Sequence, residues 1–362
     1  MSSFEKLRAF AVKYERHMSA GALAGGFLVD TLTFQRIDFL FGHAMLFAYL
    51  FIAAASIVCM NALAAGRWTN RFFEKTAPFF PLFAQYAFGG LFSAFAIFYT
   101  KSASLAASWP FLLFIFALLI GNETFRARYQ KFGFQITLFF IVLFSFFIFY
   151  IPVVLGKMSV GVFLLSGAAS LLVVTLFVRI VLRVAPVERQ RGKKIAASGI
   201  AVSFLAINAM YFANIIPPIP LALQDAGVYN FVSRTTEGSY ELVGEKKELA
   251  DMFRPTRPVS LVFGEPLYFY SAVFAPTKLE TTIVHRWQYF DDTKDEWVTA
   301  SDIAFPISGG RGLGYRGYSM KTALFPGLWR VQVVTERGQV VGQRRFAIFY
   351  TDHMPVLFEE IK

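Results

Sequence analysis

The sequence predicts a multi-pass α-helical membrane bundle of about seven spans, followed by an extracytoplasmic antiparallel β-sandwich. Three observations predict it. Hydrophobic residues make up 56% of the 362, with 44 Phe and a mean hydropathy of +0.51, well above what a soluble domain carries. The basic excess is confined to residues 1–216, which hold 19 Lys and Arg against 7 Asp and Glu; residues 217–362 hold 16 against 17. Beyond about residue 259 the apolar period shortens from helical spacing to strict alternation.

Seven apolar stretches are long enough to cross roughly 30 Å of hydrocarbon. They lie near 18–35, 39–63, 78–100, 103–121, 133–155, 159–182 and 195–216. The first is interrupted by Asp30. Its basic lead (Lys6, Arg8, Lys13, Arg16) imitates a signal peptide, but no small-x-small cleavage site follows, so it reads as a helix. Alternate connections carry 16 of the 19 basic residues, from Lys6 through Arg67, Arg126 and Arg179 to Lys194; the others carry only Arg36, Lys101 and Lys157. Basic residues stay on the cytoplasmic side. The expected N-terminus is therefore cytoplasmic, and seven crossings place everything after "NIIPPIP" outside the cytoplasm. The basic pI belongs to the membrane half, so nucleic acid is not an expected partner.

Intramembrane charge costs on the order of 3 kcal/mol, which makes Asp30, with Arg36, Asp38 and His43 after it, a candidate polar cluster near the outer helix ends. Lys101, Lys157, Asn208 and Asn214 are its possible neighbours. The cluster is a site for a proton, ion or lipid headgroup, or it is an ion-paired, hydrated helix end. At the other side, Glu123 and Arg126 of "GNETFRARYQKF" stand at i, i+3 and read as a structural pair. No inverted repeat or matching pair of broken helices marks a transporter.

Pro217, Pro218 and Pro220 stop the last helix. Residues 217–258 read as a mixed linker, and 259–362 as a β-sandwich of immunoglobulin or fibronectin-III type. Seven β-rich runs there are separated by turn residues. Trp287, Trp329, Val331, Val333, Phe346 and Ile348 supply its core, with His285 on the Trp287 face as a hydrogen-bonded, half-buried side chain. Neither His285 nor "DDTKDE" (291–296) has metal-ligand spacing, and the single Cys59 forms no disulfide framework, so no metal and no cofactor are expected.

Within "GGRGLGYRGYSMK" (309–321), Gly312, Gly314 and Gly317 spell G-x-G-x-x-G, with Glu336 lying 19 residues on. A dinucleotide turn needs a helix next, for the pyrophosphate to sit on its N-terminus. Pro326-Gly327 leaves no room for one, and the segment lies outside the cytoplasm, so no nucleotide is expected. What remains is a loop and strand with Arg311, Tyr315, Arg316, Tyr318, Ser319 and Lys321. Tyr315, Ser319 and Lys321 share one face, and Arg316 and Tyr318 the other. Arginine forks and tyrosines suit carboxylates, phosphates or sugars; alternatively the basic residues pair with acids at 291–296 or 302. A Ser319/Lys321 nucleophile pair lacks an oxyanion motif, and no catalytic residue is assigned.

"HRWQYF" (285–290), "GGRGLGYRGYSMK", "PGLWRVQVVTERGQVVG" (326–342) and "GNETFRARYQKFGFQITLFF" (121–140) followed by "IPVVLG" (151–156) resemble bacterial multi-pass membrane proteins catalogued as domain of unknown function 2914, from about residue 100 onward. The resemblance implies a bacterial envelope protein and carries no activity. The expected function is a binding protein: the membrane helices hold the sandwich against an envelope polymer, lipid headgroup or periplasmic protein. The alternative is a transporter or lipid-modifying enzyme using Asp30, Arg36, Asp38 and His43.

Overall fold

The structure is a computed structural model. It describes residues 27–28, 30–31, 40–67, 70–102, 105–122, 128–129, 131–185, 190–246, 254, 256–276, 279–310, 314–353 and 355–362. Two compact units emerge. One comprises residues 1–100, 110–151 and 160–212; the other comprises 101–109, 152–159 and 213–362.

The first unit is helical. Its elements are α1 (Leu40–Ala64), the short α2 (Arg71–Thr76), α3 (Phe80–Ser102), α4 (Leu105–Asn122), α5 (Phe132–Leu155), α6 (Val160–Val184) and α7 (Gln190–Phe212). Among the described residues, five segments are long and apolar enough to cross a membrane: Gly42–Ala64, Ala77–Ser102, Phe132–Leu155, Val160–Val184 and Gly192–Phe212. The 103–121 stretch forms α4, whose apolar part, Ala107–Asn122, is shorter and contains Pro110. The expected first span lies largely outside the described residues, of which 27–28 and 30–31 are helical.

Phenylalanine fills this unit. Phe88, Phe92, Phe95, Phe140, Phe144 and Phe149 are fully buried, with Phe144 stacked on Phe204 at 5.7 Å. Burial concentrates on α3 and α5, while α7 leaves most of its length exposed, as a lipid-facing helix would. Polar side chains inside it pair with one another. Asn61 Nδ2 donates to Gln135 Oε1 at 2.7 Å, and Gln135 Nε2 to the Tyr129 carbonyl at 2.6 Å. The Tyr129 hydroxyl donates to Asn122, whose Nδ2 donates to the Gln85 carbonyl at 3.0 Å. Asn122, Tyr129 and Gln135 all come from the "GNETFRARYQKFGFQ" stretch, so that motif ties α1, α3, α4 and α5 through a buried, uncharged network. In a low-dielectric interior such bonds strengthen, and a broken one leaves a costly unpaired group. Glu123 and Arg126 lie outside the described residues.

The second unit is β-rich. Its strands are β1 (Ala222–Tyr229), β2 (Phe231–Arg234), β3 (Tyr240–Glu245), β4 (Arg257–Leu261), β5 (Leu267–Phe274), β6 (Glu280–Asp291), β7 (Glu296–Ser308), β8 (Tyr315–Lys321), β9 (Gly327–Thr335), β10 (Val340–Tyr350) and β11 (Leu357–Ile361). They form three sheets, ordered β4-β10-β9-β6-β7, β1-β5-β8 and β11-β3-β2. All neighbours run antiparallel except β4 with β10. The segment before residue 259, read from sequence as a mixed linker, carries β1 to β3 and the start of β4. Its signal is weak because β2 and β3 are short, and β1 and β3 also pair with strands further along the chain, β5 and β11.

Two cores result. Between the five-stranded and middle sheets lie Trp287, Trp329, Val331, Val333, Phe346 and Ile348, all buried as expected, with Phe269, Val273 and Val228 facing them. Tyr229, Tyr240, Leu242, Tyr270 and Ala272 form the second, between the middle sheet and the small one. "DDTKDE" is the exposed β6–β7 turn, where the Asp291 carboxylate accepts from Thr293 and is held below the usual carboxylate range by that bond. Met158 packs against the larger core, and the Glu280 N–H donates to the Gly156 carbonyl at 3.3 Å.

Candidate binding face on the β domain

Strand alternation divides the 315–321 residues between two environments. Tyr315, Gly317 and Ser319 turn toward the larger core. Ser319 is buried, and its hydroxyl meets His285 Nδ1 at 2.9 Å and receives the Trp287 indole N–H at 3.0 Å. Ser271 meets the other ring nitrogen at 2.8 Å. His285 is fully buried rather than half-buried, edge-on to Phe269 and Phe305 at 4.8 Å each. Burial pushes its pKa down to about 3. A serine beside an imidazole has the outline of a nucleophile and its base. Here both are sealed from solvent, and an imidazole of such low basicity takes no proton from serine at neutral pH. Lys321 is not part of this group, and Ser271, His285, Ser319 and Trp287 read as a core hydrogen-bond chain.

The glycines have packing reasons. A Cβ on Gly309 would overlap the Pro276 carbonyl oxygen, because the Gly309 and Gly310 N–H groups donate to Leu279 and Ala275 at 2.8 and 3.2 Å. Gly314 holds φ at +85°, a left-handed value that favours glycine. The chain then enters β8, and residues 322–326, between β8 and β9, contain no helix. Gly309→Ala is expected to destabilise the domain by about 2 kcal/mol or more through overpacking against backbone. Denaturant unfolding of the full chain checks this; a midpoint matching the parent would refute the close approach.

On the other face of β8 stand Arg316, Tyr318 and Met320, opposite Ala272, Tyr270 and Tyr268 of β5. Here the rings gather. Tyr318 lies 6.1 Å from Tyr268 and 6.2 Å from Tyr240, and Tyr268 lies 5.7 Å from Phe231. The small sheet covers Tyr240 and Tyr270 but leaves Phe231, Tyr318 and Met320 between 40% and 49% exposed. The Arg316 guanidinium sits 5.8 Å from the Tyr240 ring centre, and the Tyr240 hydroxyl donates to the Arg316 carbonyl at 3.0 Å. Arg316 Nε is buried and has no hydrogen-bond partner among the described residues. Asp302, a sequence-level candidate to pair with it, is bound by Arg286 instead, at 2.9 Å. The Tyr240 hydroxyl is pushed up by burial, so it stays a neutral donor.

Of the expected contact residues, Arg316 and Tyr318 therefore share a partly open face, Tyr315 and Ser319 are turned inward, and Arg311 lies outside the described residues. Phe231, Tyr240 and Tyr268 are contact residues that the sequence alone does not single out. The alternating tyrosines of "LYFYSAVF" signal one part of the patch; the rest comes from β2 and β3, far away along the chain.

Residues 280–348 match the family model described as Protein of unknown function (DUF2914). The DUF2914 region runs from the start of β6 almost to the end of β10, narrower than the resemblance from residue 100 onward. It includes β8 and the core tryptophans; β1 to β5, which supply the remaining tyrosines, fall outside. No curated protein matches the chain. Among solved structures, a β-glucosidase from Listeria innocua in complex with gluconolactone is similar at 13% identity over 34% of this chain, with a TM-score of 0.20. This chain spans 18% of that protein's length. An alkylpurine DNA glycosylase from Pseudomonas fluorescens, AlkC, bound to DNA containing an abasic site analog, is similar at 12% identity over 85% of this chain and 77% of its own, with a TM-score of 0.21. Neither score establishes a common fold.

Asp30 neighbours Ser93 and Tyr49, whereas His43 meets the edge of Tyr150 at 5.5 Å. Asn208 bonds within its own helix to the Phe204 carbonyl, and Asn214 bonds the Arg337 carbonyl. Arg36 and Asp38 lie outside the described residues.

Proposed function

We propose that this is a multi-pass inner-membrane protein whose immunoglobulin-like β domain faces the periplasm and binds an envelope component through the Arg316–Tyr318 face. The observation that carries the reading is the buried, unpartnered Arg316 Nε beside a ring of partly exposed aromatics. A guanidinium without a carboxylate, set among tyrosine faces, suits a ligand with both an acidic group and a flat or apolar surface. Sidedness is supported by basic-residue placement and by residues 101–109 and 152–159, where α3 gives way to α4 and α5 to α6. These belong to the same compact unit as residues 213–362, as expected if all three lie on one side. Seven spans, rather than the five long apolar helices, follow if the 18–35 stretch and α4 also cross.

The test is co-sedimentation of the full-length protein, in neutral detergent, with insoluble peptidoglycan sacculi. Arg316→Ala and Tyr318→Ala are each expected to reduce retention roughly tenfold, the size of a lost charged or aromatic anchor. Equal retention of the parent and both variants would sink the proposal. The enzyme or transporter alternative has Asp30 as its strongest residue. If Asp30→Asn abolished cellular function at unchanged abundance while the β8 variants were silent, that alternative would replace the binding one.

A further inference from the structure

The outer face of the five-stranded sheet, on the far side of the larger core from β8, carries a second and independent feature. Residues alternating with Trp329, Val331 and Val333 on β9 point away from the core, so Arg330 and Gln332 face outward. Arg345 stands directly opposite Arg330 on β10, and Gln343 opposite Gln332. Directly opposed residues have Cβ atoms about 4.5–5.5 Å apart, and like charges there repel. Both guanidiniums also collect over one indole, with Arg330 4.2 Å and Arg345 5.7 Å from the Trp297 ring centre.

No described residue neutralises them. The one carboxylate paired on this face, Asp302, is held by Arg286 through two nitrogens. Neither Arg330 nor Arg345 has a carboxylate within ion-pair distance among the described residues. Burial, followed by the charge of Arg345, pulls Arg330 down to about 10, still protonated at neutral pH. The orientation is nonetheless built. Gln288 Oε1 accepts from Arg330 Nε at 2.7 Å, and its amide nitrogen donates to Thr299 at 3.0 Å. Beside the pair, Gln332 donates to Gln343 at 3.1 Å. Arg330 is thus fixed by a ring and an amide, while its terminal nitrogens are not used by any hydrogen bond among the described residues.

We infer that Arg330, Arg345 and Trp297 form a binding site for a carboxylate-bearing saccharide, a uronic-acid type of sugar. Two facing guanidiniums complement an anionic group, and a planar fork fits a planar carboxylate through paired hydrogen bonds. The glutamine amides next to them supply donors and acceptors for ring hydroxyls. A pair of like charges kept together without a counter-ion destabilises the free domain, and an anionic ligand relieves that repulsion.

The experiment uses the full-length protein in zwitterionic detergent at near-physiological salt, titrated with trigalacturonate, maltotriose or inorganic phosphate. Trigalacturonate is expected to bind and to raise the unfolding midpoint, and the neutral sugar and phosphate to bind at least roughly tenfold more weakly. Arg345→Gln is expected to lower trigalacturonate affinity by roughly tenfold or more while leaving the ligand-free midpoint unchanged or higher, because it removes the repulsion. Arg345→Lys keeps the charge and removes the fork, and is expected to lose most of the affinity too. Equal binding of phosphate or maltotriose would overturn the inference, as would unchanged affinity in Arg345→Gln or a fall in its ligand-free midpoint, the sign of a purely structural pair. These outcomes are separate from peptidoglycan retention by the β8 face, since the two sites share no residue.

Discussion

Trp287→Ala is expected to remove about 3–5 kcal/mol from the β domain, the usual cost of truncating a large buried aromatic. Trp287 is fully buried between the two larger sheets, against Phe269 at 6.3 Å and Phe346 at 6.2 Å. It also holds the Ser319 hydroxyl through its indole N–H. Truncation leaves both a cavity and a serine with one partner fewer, and a sealed core has no water to replace it. Domain stability in the full-length protein, followed by pulse proteolysis across a urea series, measures the effect. Trp287→Phe should recover most of the packing and lose only the hydrogen bond, so it should fall between alanine and the parent. A loss under about 1 kcal/mol for alanine would contradict this account of the core.

The second large effect is acid sensitivity carried by His285. Its folded-state pKa is lowered from 6.5 to about 3 by burial, so the folded domain keeps it neutral where the unfolded chain takes up a proton. Between those values the unfolded state binds more protons, and stability rises with pH. The contribution is complete above pH 6.5 and is lost as pH falls toward 3, at about 1.4 kcal/mol per pH unit. Because the imidazole is fully enclosed, solvent does not screen this effect. His285→Gln retains hydrogen-bonding groups toward Ser271 and Ser319 but does not titrate. Unfolding free energies of parent and variant between pH 6.5 and 4.5 should therefore diverge in slope, with the variant flatter by about that amount. Parallel curves would mean that the proton is accommodated without opening the core.

Much of the fold is legible in the sequence because its signals are local. Long apolar runs separated by basic turns mark helices whatever their partners, and among the described residues five of the expected seven appear as helices long and apolar enough to cross. Alternation likewise marks the β6, β9 and β10 strands and their six core residues, because a strand exposes its two faces in the primary order. The short β2 and β3 strands escape, since four to six residues carry little periodicity. For His285 the sequence supports a hydrogen-bonded side chain but not full enclosure. Its serine partners lie 14 and 34 residues away, and only the packing of β5 and β8 over β6 brings them together.

The functional faces divide along the same line. Chemistry-bearing residue types in "GGRGLGYRGYSMK" can be named from the sequence, and their alternation separates Arg316 and Tyr318 from Tyr315 and Ser319. Which side faces the larger core, and which rings assemble around Tyr318, is decided by strand order, because Phe231 and Tyr240 arrive from another sheet. Arg330 and Arg345 are unremarkable in a strand and a hairpin 15 residues apart. Only the β9–β10 register sets them face to face, and only the β6–β7 hairpin carries Trp297 beneath them. The sequence by itself determined apolar helix length, helix positions and strand alternation, since each depends on neighbours along the chain. Tertiary structure alone decided burial, charge pairing and the makeup of each face, since those depend on groups that pairing and packing bring together.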